Sequence, residues 1–249
     1  MELLLTSPAT AGTGGYTLLI ADDAAQVAAA QRLRHEVFAD ELGAALPSPV
    51  AGLDVDEFDE HCDHLLVRDD TTGAVVGTYR MLPPGRTPRR YGDTEFDLSS
   101  LAPLADVLVE TGRSCVHPDH RSGAVINLMW AGIARYLHLT GRRWLSGCAS
   151  VPLADGGATA AAVWGRVAAK HLAPPLLRVR PRRPWPVPDP AGTAGPATPP
   201  LLRGYLRLGA WVCGPPAHDP DFDVADFYVL LSTDRMHPRY LRHFLGGQG

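Results

Sequence analysis

Apolar residues along the chain alternate between short strand-like runs and helical stripes at i, i+3, i+4 and i+7, which predicts interleaved strands and helices. Residues 16–21 read as an apolar strand. Asp22 and Asp23 offer an N-cap to a helix running to about Leu42, with Gly43 as its stop. Its buried stripe is Val27, Ala30, Leu33 and Val37, while Arg34 and Phe38, four apart, share a neighbouring face. A Pro/Gly loop over 44–52 and an acidic stretch over 54–63 precede a hairpin of 65–67 with 74–82, on which Val76, Thr78 and Arg80 face one side. After a basic loop with Arg86, Arg89 and Arg90, the run 107–109 predicts a buried strand ending at Glu110. Ile126, Met129, Trp130, Ile133 and Leu137 then predict a helix stopped by Gly141. Residues 144–151 read as a strand and 158–170 as an alanine-rich helix. The segment 174–200 holds ten prolines, too many for helix or sheet, and predicts a long surface excursion. A helix over 201–208, strands at 210–213 and 227–231, and a helix over 237–245 complete the order. The fold class is α/β, with a mixed central sheet flanked by helices. The elements after the prolines are thin for an independent core, so residues 1–249 are expected to form one domain with a proline-rich insertion at 174–200.

The strand ending at Glu110 carries the sharpest chemistry. It leaves its apolar run through Glu110, Thr111, Gly112 and Arg113 rather than through a turn. An ionised carboxylate at the end of a core strand is costly unless it is paired or has a task. In a regular strand residues 110 and 113 point to opposite faces. A bulge at Gly112 would shift the parity and turn both side chains into one cleft. A buried structural ion pair and a reactive site both fit these residues.

Charge and cysteine usage narrow the class. A net charge of −4 argues against a general nucleic-acid binder, although 22 arginines against the single Lys170 are locally clustered. Cys62, Cys115, Cys148 and Cys213 are widely spaced, with no CxxC pair, which predicts a reduced cytoplasmic protein without a disulfide framework or zinc ribbon. The first ten residues lack a basic leader, and no apolar run reaches the ~20 residues that span a bilayer, so any contact with lipid is expected to be peripheral, at the inner face of the membrane.

Taken in order, the Arg34/Phe38 helix, the acidic loop, Val-Gly-Thr-x-Arg at 76–80 and Glu-x-x-Arg at 110–113 resemble the acyl-carrier-protein-dependent branch of the GNAT acyltransferases. The pattern of its autoinducer synthases maps onto Arg34, Phe38, Asp56, Asp59, Arg80, Glu110 and Arg113. The stretches 112–118, 147–152, 205–216 and 221–227 are similar to the ornithine N-acyltransferases of ornithine-lipid synthesis. The likeness runs from about residue 16 to the C-terminus and breaks over 181–200. It implies a GNAT-like sheet and transfer of a (3-hydroxy)acyl chain from acyl carrier protein to the α-amine of ornithine or a similar amino acid. The donor would be a phosphopantetheine thioester or acyl-CoA, with no resident cofactor and no metal. Where ordinary GNATs grip a pyrophosphate, residues 121–126 keep Arg121 but lack the expected glycines, which favours the single phosphate of a carrier-bound arm.

N-acylation needs a neutral amine, a polarised thioester carbonyl and an acid for the leaving thiolate. The resemblance gives these tasks to Glu110 as base through water, to backbone N–H groups near Cys115 and Val116, and to Tyr205, whose alternative is a core aromatic. Arg80 and Arg113 are expected to orient Glu110 and the acceptor carboxylate, and Asp56 and Asp59 to meet its cationic end. The runs Arg86-Arg89-Arg90 and Arg178-Arg180-Arg182-Arg183 with Trp185 are read as solvated arginines or as a dock for the acidic carrier or anionic headgroups. His61 with His64 and His117 with His120 sit in loops without metal-ligand spacing. The competing functions are a GNAT using acyl-CoA or acetyl-CoA on a small amine, an N-acyltransferase making a diffusible product from another amino acid, and a non-catalytic acyl- or carrier-binding module.

Overall fold

The computed structural model describes residues 2–7, 14–121, 123–187, 195–236 and 238–245. In chain order the strands are β1 (Glu2–Ser7), β2 (Tyr16–Ile20), β3 (Asp63–Asp69), β4 (Val75–Leu82), β5 (Phe96–Asp97), β6 (Leu108–Val116), β7 (Trp144–Pro152), β8 (Arg180–Pro181), β9 (Trp211–Val212), β10 (Ala217–Asp219) and β11 (Val224–Ser232). The α-helices are α1 (Ala24–His35), α2 (Gly92–Glu95), α3 (Gly123–Leu139), α4 (Ala158–Lys170), α5 (Pro200–Leu208) and α6 (Pro238–Leu245). This is a mixed α/β fold with a mostly antiparallel sheet flanked by helices. The described residues gather into two compact units, one drawn from 1–86, 111–142 and 238–249, the other from 87–110 and 143–237. Strand β6 gives its first three residues to the second unit and the rest to the first.

In the first unit the strand order is β1-β2-β3-β4-β6, with the first three pairings antiparallel. Asp23 caps α1 by accepting the Gln26 N–H at 2.8 Å, as its position predicts. The helix then widens into a π-helical segment, Glu36–Glu41, in which the Leu42 N–H reaches back to the Val37 carbonyl. The buried face of α1 includes Arg34 alongside Ala30 and Leu33. Helix α3 buries Met129, Ile133 and Leu137 of its expected stripe but not all of it. Ile126 is 38% exposed and Trp130 half-buried, while Val125, Leu128, Met129, Gly132, Ile133 and Tyr136 face inward. A Cβ at Gly132 would lie 2.3 Å from a methyl of Leu18 on β2, so only a bare backbone fits there. Strand β1 was not anticipated, and part of the expected leader-free segment, residues 8–10, lies outside the described residues.

In the second unit β6 pairs parallel with β7, and β7 pairs antiparallel with β11, which also carries β10 and β9. The proline-rich stretch is less detached than its composition suggests. Arg180–Pro181 forms β8 against β5, the Val179 N–H donates to the Cys213 carbonyl at 2.7 Å, and Pro200 opens α5. Proline is tolerated at such edges because no ladder N–H is needed from it. Residues 188–194 of that stretch, like Ser122 and His237, lie outside the described residues.

Candidate functional site

The acidic loop after α1 meets three arginines from three different elements. Arg34 on α1 pairs with Asp54 at 2.8 Å and Asp59 at 2.7 Å. Arg80 on β4 pairs with Asp59 at 2.9 Å and Asp56 at 2.5 Å. Arg113 on β6 pairs with Asp56 at 3.3 Å and Asp54 at 3.1 Å. Arginine and aspartate therefore alternate around a closed ring of six, formally neutral and nearly buried, with Asp56 and Arg113 its most exposed members. Gln31 adds a hydrogen bond to Asp59 at 3.0 Å, and the guanidinium of Arg80 lies over Phe58. Burial alone would push the Asp59 carboxyl up, but the hydrogen bonds and charge of Arg34, joined by Arg80, hold it well below its ordinary 3.8.

This geometry revises two expectations. Asp59 is already engaged by two arginines, and Asp56 by two, so a cation reaches either one only by exchange with an arginine contact. Asp54, absent from the expected set, is a full member of the ring. The backbone irregularity in β6 also sits one residue later than expected. Arg113 itself is left-handed, at φ 51°, whereas Gly112 is not and has open space where a Cβ would go. A non-glycine residue held there is strained, and such strain gathers at functional sites.

Glu110 is 4% exposed. Its two carboxylate oxygens accept the backbone N–H groups of Tyr91, at 2.7 Å, and Gly92, at 2.9 Å, at the opening of α2. Gly92 is required by space, since a Cβ there would lie 2.7 Å from both the Glu110 carboxylate and the Tyr228 ring. Register places Glu110 opposite Ser146 of β7, and Ser146, Cys148 and Ser150 share a face with Tyr228 and Asp226 of β11. The Tyr228 hydroxyl donates to Ser146 at 2.9 Å and Ser150 donates to Asp226 at 2.6 Å.

Above that polar stripe sits a second acidic group that the sequence did not bring forward. Carboxylate oxygens of Glu95, Asp219 and Asp226 lie within 4.8 Å of one another. Burial first, then the charge of Asp226, pushes the Glu95 carboxyl up to about 9. Asp226 falls inside a segment the resemblance singled out, but Glu95 carries no motif, and the two are brought together only by tertiary folding.

The other expected residues are spread through the two units. In the first, Phe38 lies on the π-helical segment against Leu33, Val37 and Cys115, and burial pushes the Cys115 thiol up. The Val116 carbonyl accepts from Arg121, whose guanidinium also makes a two-pronged pair with Glu41 at 2.7 and 2.6 Å. In the second, Tyr205 on α5 is 1% exposed. The histidines have hydrogen-bond tasks: His64 bonds the Asp59 carbonyl, His120 the Tyr16 hydroxyl, and His117 accepts from the Asp119 N–H. Of the basic runs, Arg86 pairs with Asp63 and Arg90 bonds the Ala105 carbonyl. Arg178, Arg180, Arg182 and Arg183 are all exposed. Trp185, expected beside them as a docking side chain, is instead buried over Gly157.

An Acetyltransferase (GNAT) domain model matches residues 33–131. The chain is 36% identical over 242 residues to an L-ornithine N(alpha)-acyltransferase of Rhodobacter capsulatus, covering 90% of this chain and 93% of the relative. It is 34% identical over 257 residues to an L-ornithine N(alpha)-acyltransferase of Rhizobium meliloti, covering 90% and 82%. Its fold is similar to that of the AHL synthase LasI, with a TM-score of 0.55 over 93% of this chain and 95% of that one; at 13% identity the likeness concerns the fold alone.

Proposed function

Because the chain belongs to the family of the L-ornithine N(alpha)-acyltransferases, we propose that it moves a 3-hydroxyacyl chain from the phosphopantetheine thioester of acyl carrier protein to the α-amine of ornithine, giving a lyso-ornithine-lipid-type product. The observation that carries the acceptor is the 36% identity to a relative of that name across 90% of the chain.

In this reading the amine nitrogen attacks the thioester carbonyl, the carbon–sulfur bond breaks, and the thiolate takes up a proton. Glu110 accepts the amine's proton through water. Its orientation, fixed by two backbone N–H groups, is what a general base needs before its proton affinity matters. Backbone N–H groups at Cys115 and Val116 polarise the carbonyl, and Tyr205 returns a proton to sulfur. The acceptor meets the ring at its longest contact, Arg113 to Asp56, where the buried Asp56 Oδ2 has no hydrogen-bond partner among the described residues. There the acceptor's carboxylate finds Arg113 and its cationic side chain finds Asp56, exchanging one ion pair for two and leaving the α-amine, in its neutral form, to attack. The carrier docks on the exposed arginines of the second unit. Arg178 and Arg180 line a groove of about 480 Å³ beside Leu176, which is 85% exposed. Among the described residues no helix is long and apolar enough to cross a membrane.

Intact-mass tracking of 3-hydroxyacyl carrier protein, with and without ornithine, tests the reading. Loss of the acyl group only with ornithine, with an N-acylornithine product, is expected. Turnover of acyl-CoA but not of acyl carrier protein would overturn the donor, and turnover with another amino acid in place of ornithine would overturn the acceptor. Glu110→Gln is expected to lower turnover by about 10²–10⁴-fold; full turnover in a folded variant would remove Glu110 as base.

A further inference from the structure

We propose that Glu95 works as a neutral carboxylic acid donating its proton to Asp226, and that this bond makes it a positioning residue for Glu110. The single turn α2 links the two sites. Its opening N–H groups, from Tyr91 and Gly92, hold the Glu110 carboxylate, and its last residue is Glu95.

The donor set decides which carboxyl keeps the proton. Asp219 accepts the backbone N–H groups of Asp221, at 2.9 Å, and Phe222, at 3.3 Å. Asp226, 2% exposed, accepts the Ser150 hydroxyl at 2.6 Å. Both carboxylates thus already accept donors of their own. Glu95 receives a weak thiol donor, Cys148 at 3.6 Å, on one oxygen, and a side-chain hydrogen bond from Tyr91, while its buried Oε1 has no hydrogen-bond partner among the described residues. An ionised Glu95 would leave that oxygen bare against two carboxylates; a protonated one turns a repulsion into a hydrogen bond. Asp226 and Asp219 favour the proton, whereas Tyr91 on the same turn acts against it. Burial, then Glu95, Asp226 and Glu110, push the Cys148 thiol well up, so that group stays neutral. Burial, then Glu110, likewise push up the Tyr228 phenol, which stays neutral. Two cations are bonded to this segment: Arg182 gives its Nε–H to the Asp93 carbonyl and its backbone N–H to that of Glu95, and Arg90 gives its backbone N–H to the Asp93 carboxylate at 2.9 Å. Loss of the proton would set three carboxylates against one another under the turn that clasps Glu110.

The link to Glu110 rests on the acyl-transfer reading; the proton does not, and the test separates them. Glu95 is raised from 4.5 to about 9, so its contribution to stability is complete below 4.5 and is lost as pH rises through about 9. Thermal midpoints of the full chain and of Glu95→Gln, which holds no such proton, are compared across that window. The wild-type midpoint is expected to fall more steeply, so the gap in favour of the variant widens with pH; parallel curves would overturn the proposal. A rise of the wild-type midpoint on adding Mg²⁺ or Ca²⁺, reversed by chelator, would assign the three carboxylates to a cation and also overturn it. In acyl transfer at neutral pH, Glu95→Ala is expected to lose about ten- to a hundredfold in kcat, and Glu95→Gln, whose amide still donates to Asp226, to recover most of it and lack the wild type's decline near pH 9. Equal loss in both variants would overturn the positioning role even if the proton stands. If the wild type transfers no acyl group to ornithine, the functional reading fails while the thermal comparison still decides the proton.

Discussion

Taking one carboxylate from a closed ring of charges leaves two arginines facing each other with less to neutralise them. Asp54→Asn does this at the most enclosed acid, 4% exposed, beside the fully buried Arg34. Breaking a buried pair by removing one partner costs about 3–5 kcal/mol, and urea unfolding is expected to show a loss of that order. Asp56→Asn, at a position 20% exposed, is expected to cost distinctly less because water reaches the freed arginines. Equal costs would mean the ring is not the unit that matters. The depressed Asp59 sets the pH dependence. Its folded value lies below 3.8, so its contribution is complete above that value and drains away as pH falls through the folded one. Denaturation midpoints of the wild type are expected to drop more steeply than those of Asp59→Asn on acidification below about pH 4. Five ring members were legible through their resemblance to a known pattern; Asp54 was not, because nothing in its neighbourhood sets it apart from Glu57 or Glu60. Glu95 was invisible for a different reason. Its significance is its distance from Asp226, and that distance is made by β11 and α2 meeting in space.

At the level of elements, three glycines make opposite predictions from the same substitution. In a helix interior Gly→Ala ordinarily gains about 1 kcal/mol. At Gly132 the new methyl would sit 2.3 Å from Leu18, which has no exposed surface and nowhere to go, so Gly132→Ala is expected to destabilise by about 1–3 kcal/mol. Gly112→Ala meets nothing and is expected to stay within about 0.5 kcal/mol. Gly92→Ala presses on the Glu110 carboxylate and the Tyr228 ring and is expected to lose activity beyond what its fall in melting temperature explains. Thermal unfolding with parallel turnover assays separates the three, and an intact Gly92→Ala would deny the clasp a role. The same positions mark how far the pattern carried. Helix α3 and most of its buried stripe were legible from its period, but the close approach of Leu18 at Gly132 was not, because no periodicity reports it. The hairpin of β3 and β4 and the helix α5 with its Gly209 stop followed local rules and appeared where those rules put them. Strands β5 and β8 are two residues each and exist only because they find each other, so no local signal announces them.

For the molecule as a whole the charge balance is mildly acidic, at −4, which by itself repels an acidic carrier protein. Association must then depend on where positive charge is concentrated, since fields at the surface are local beyond a Debye length of about 8 Å in physiological salt. Arg86 is exposed but paired with Asp63, and Arg90 is half-buried against the Ala105 carbonyl; Arg178, Arg180, Arg182 and Arg183 make a longer exposed run, with Leu176 projecting beside it. That combination, an apolar side chain ringed by arginines, suits an acidic helix better than a small anion, because steering and burial act on the same partner. Replacing Arg178, Arg180 and Arg183 with glutamine is expected to raise KM for acyl carrier protein about tenfold at low salt. The difference should shrink as salt screens the wild-type attraction. The discriminating control is a short acyl-pantetheine thioester, which carries the reactive arm without the protein. If its KM rises as much as that of the carrier, the arginines serve the arm and the docking surface lies elsewhere. If only the carrier is affected, the selectivity for a protein-borne donor resides in this run, on a segment whose composition looked like mere surface.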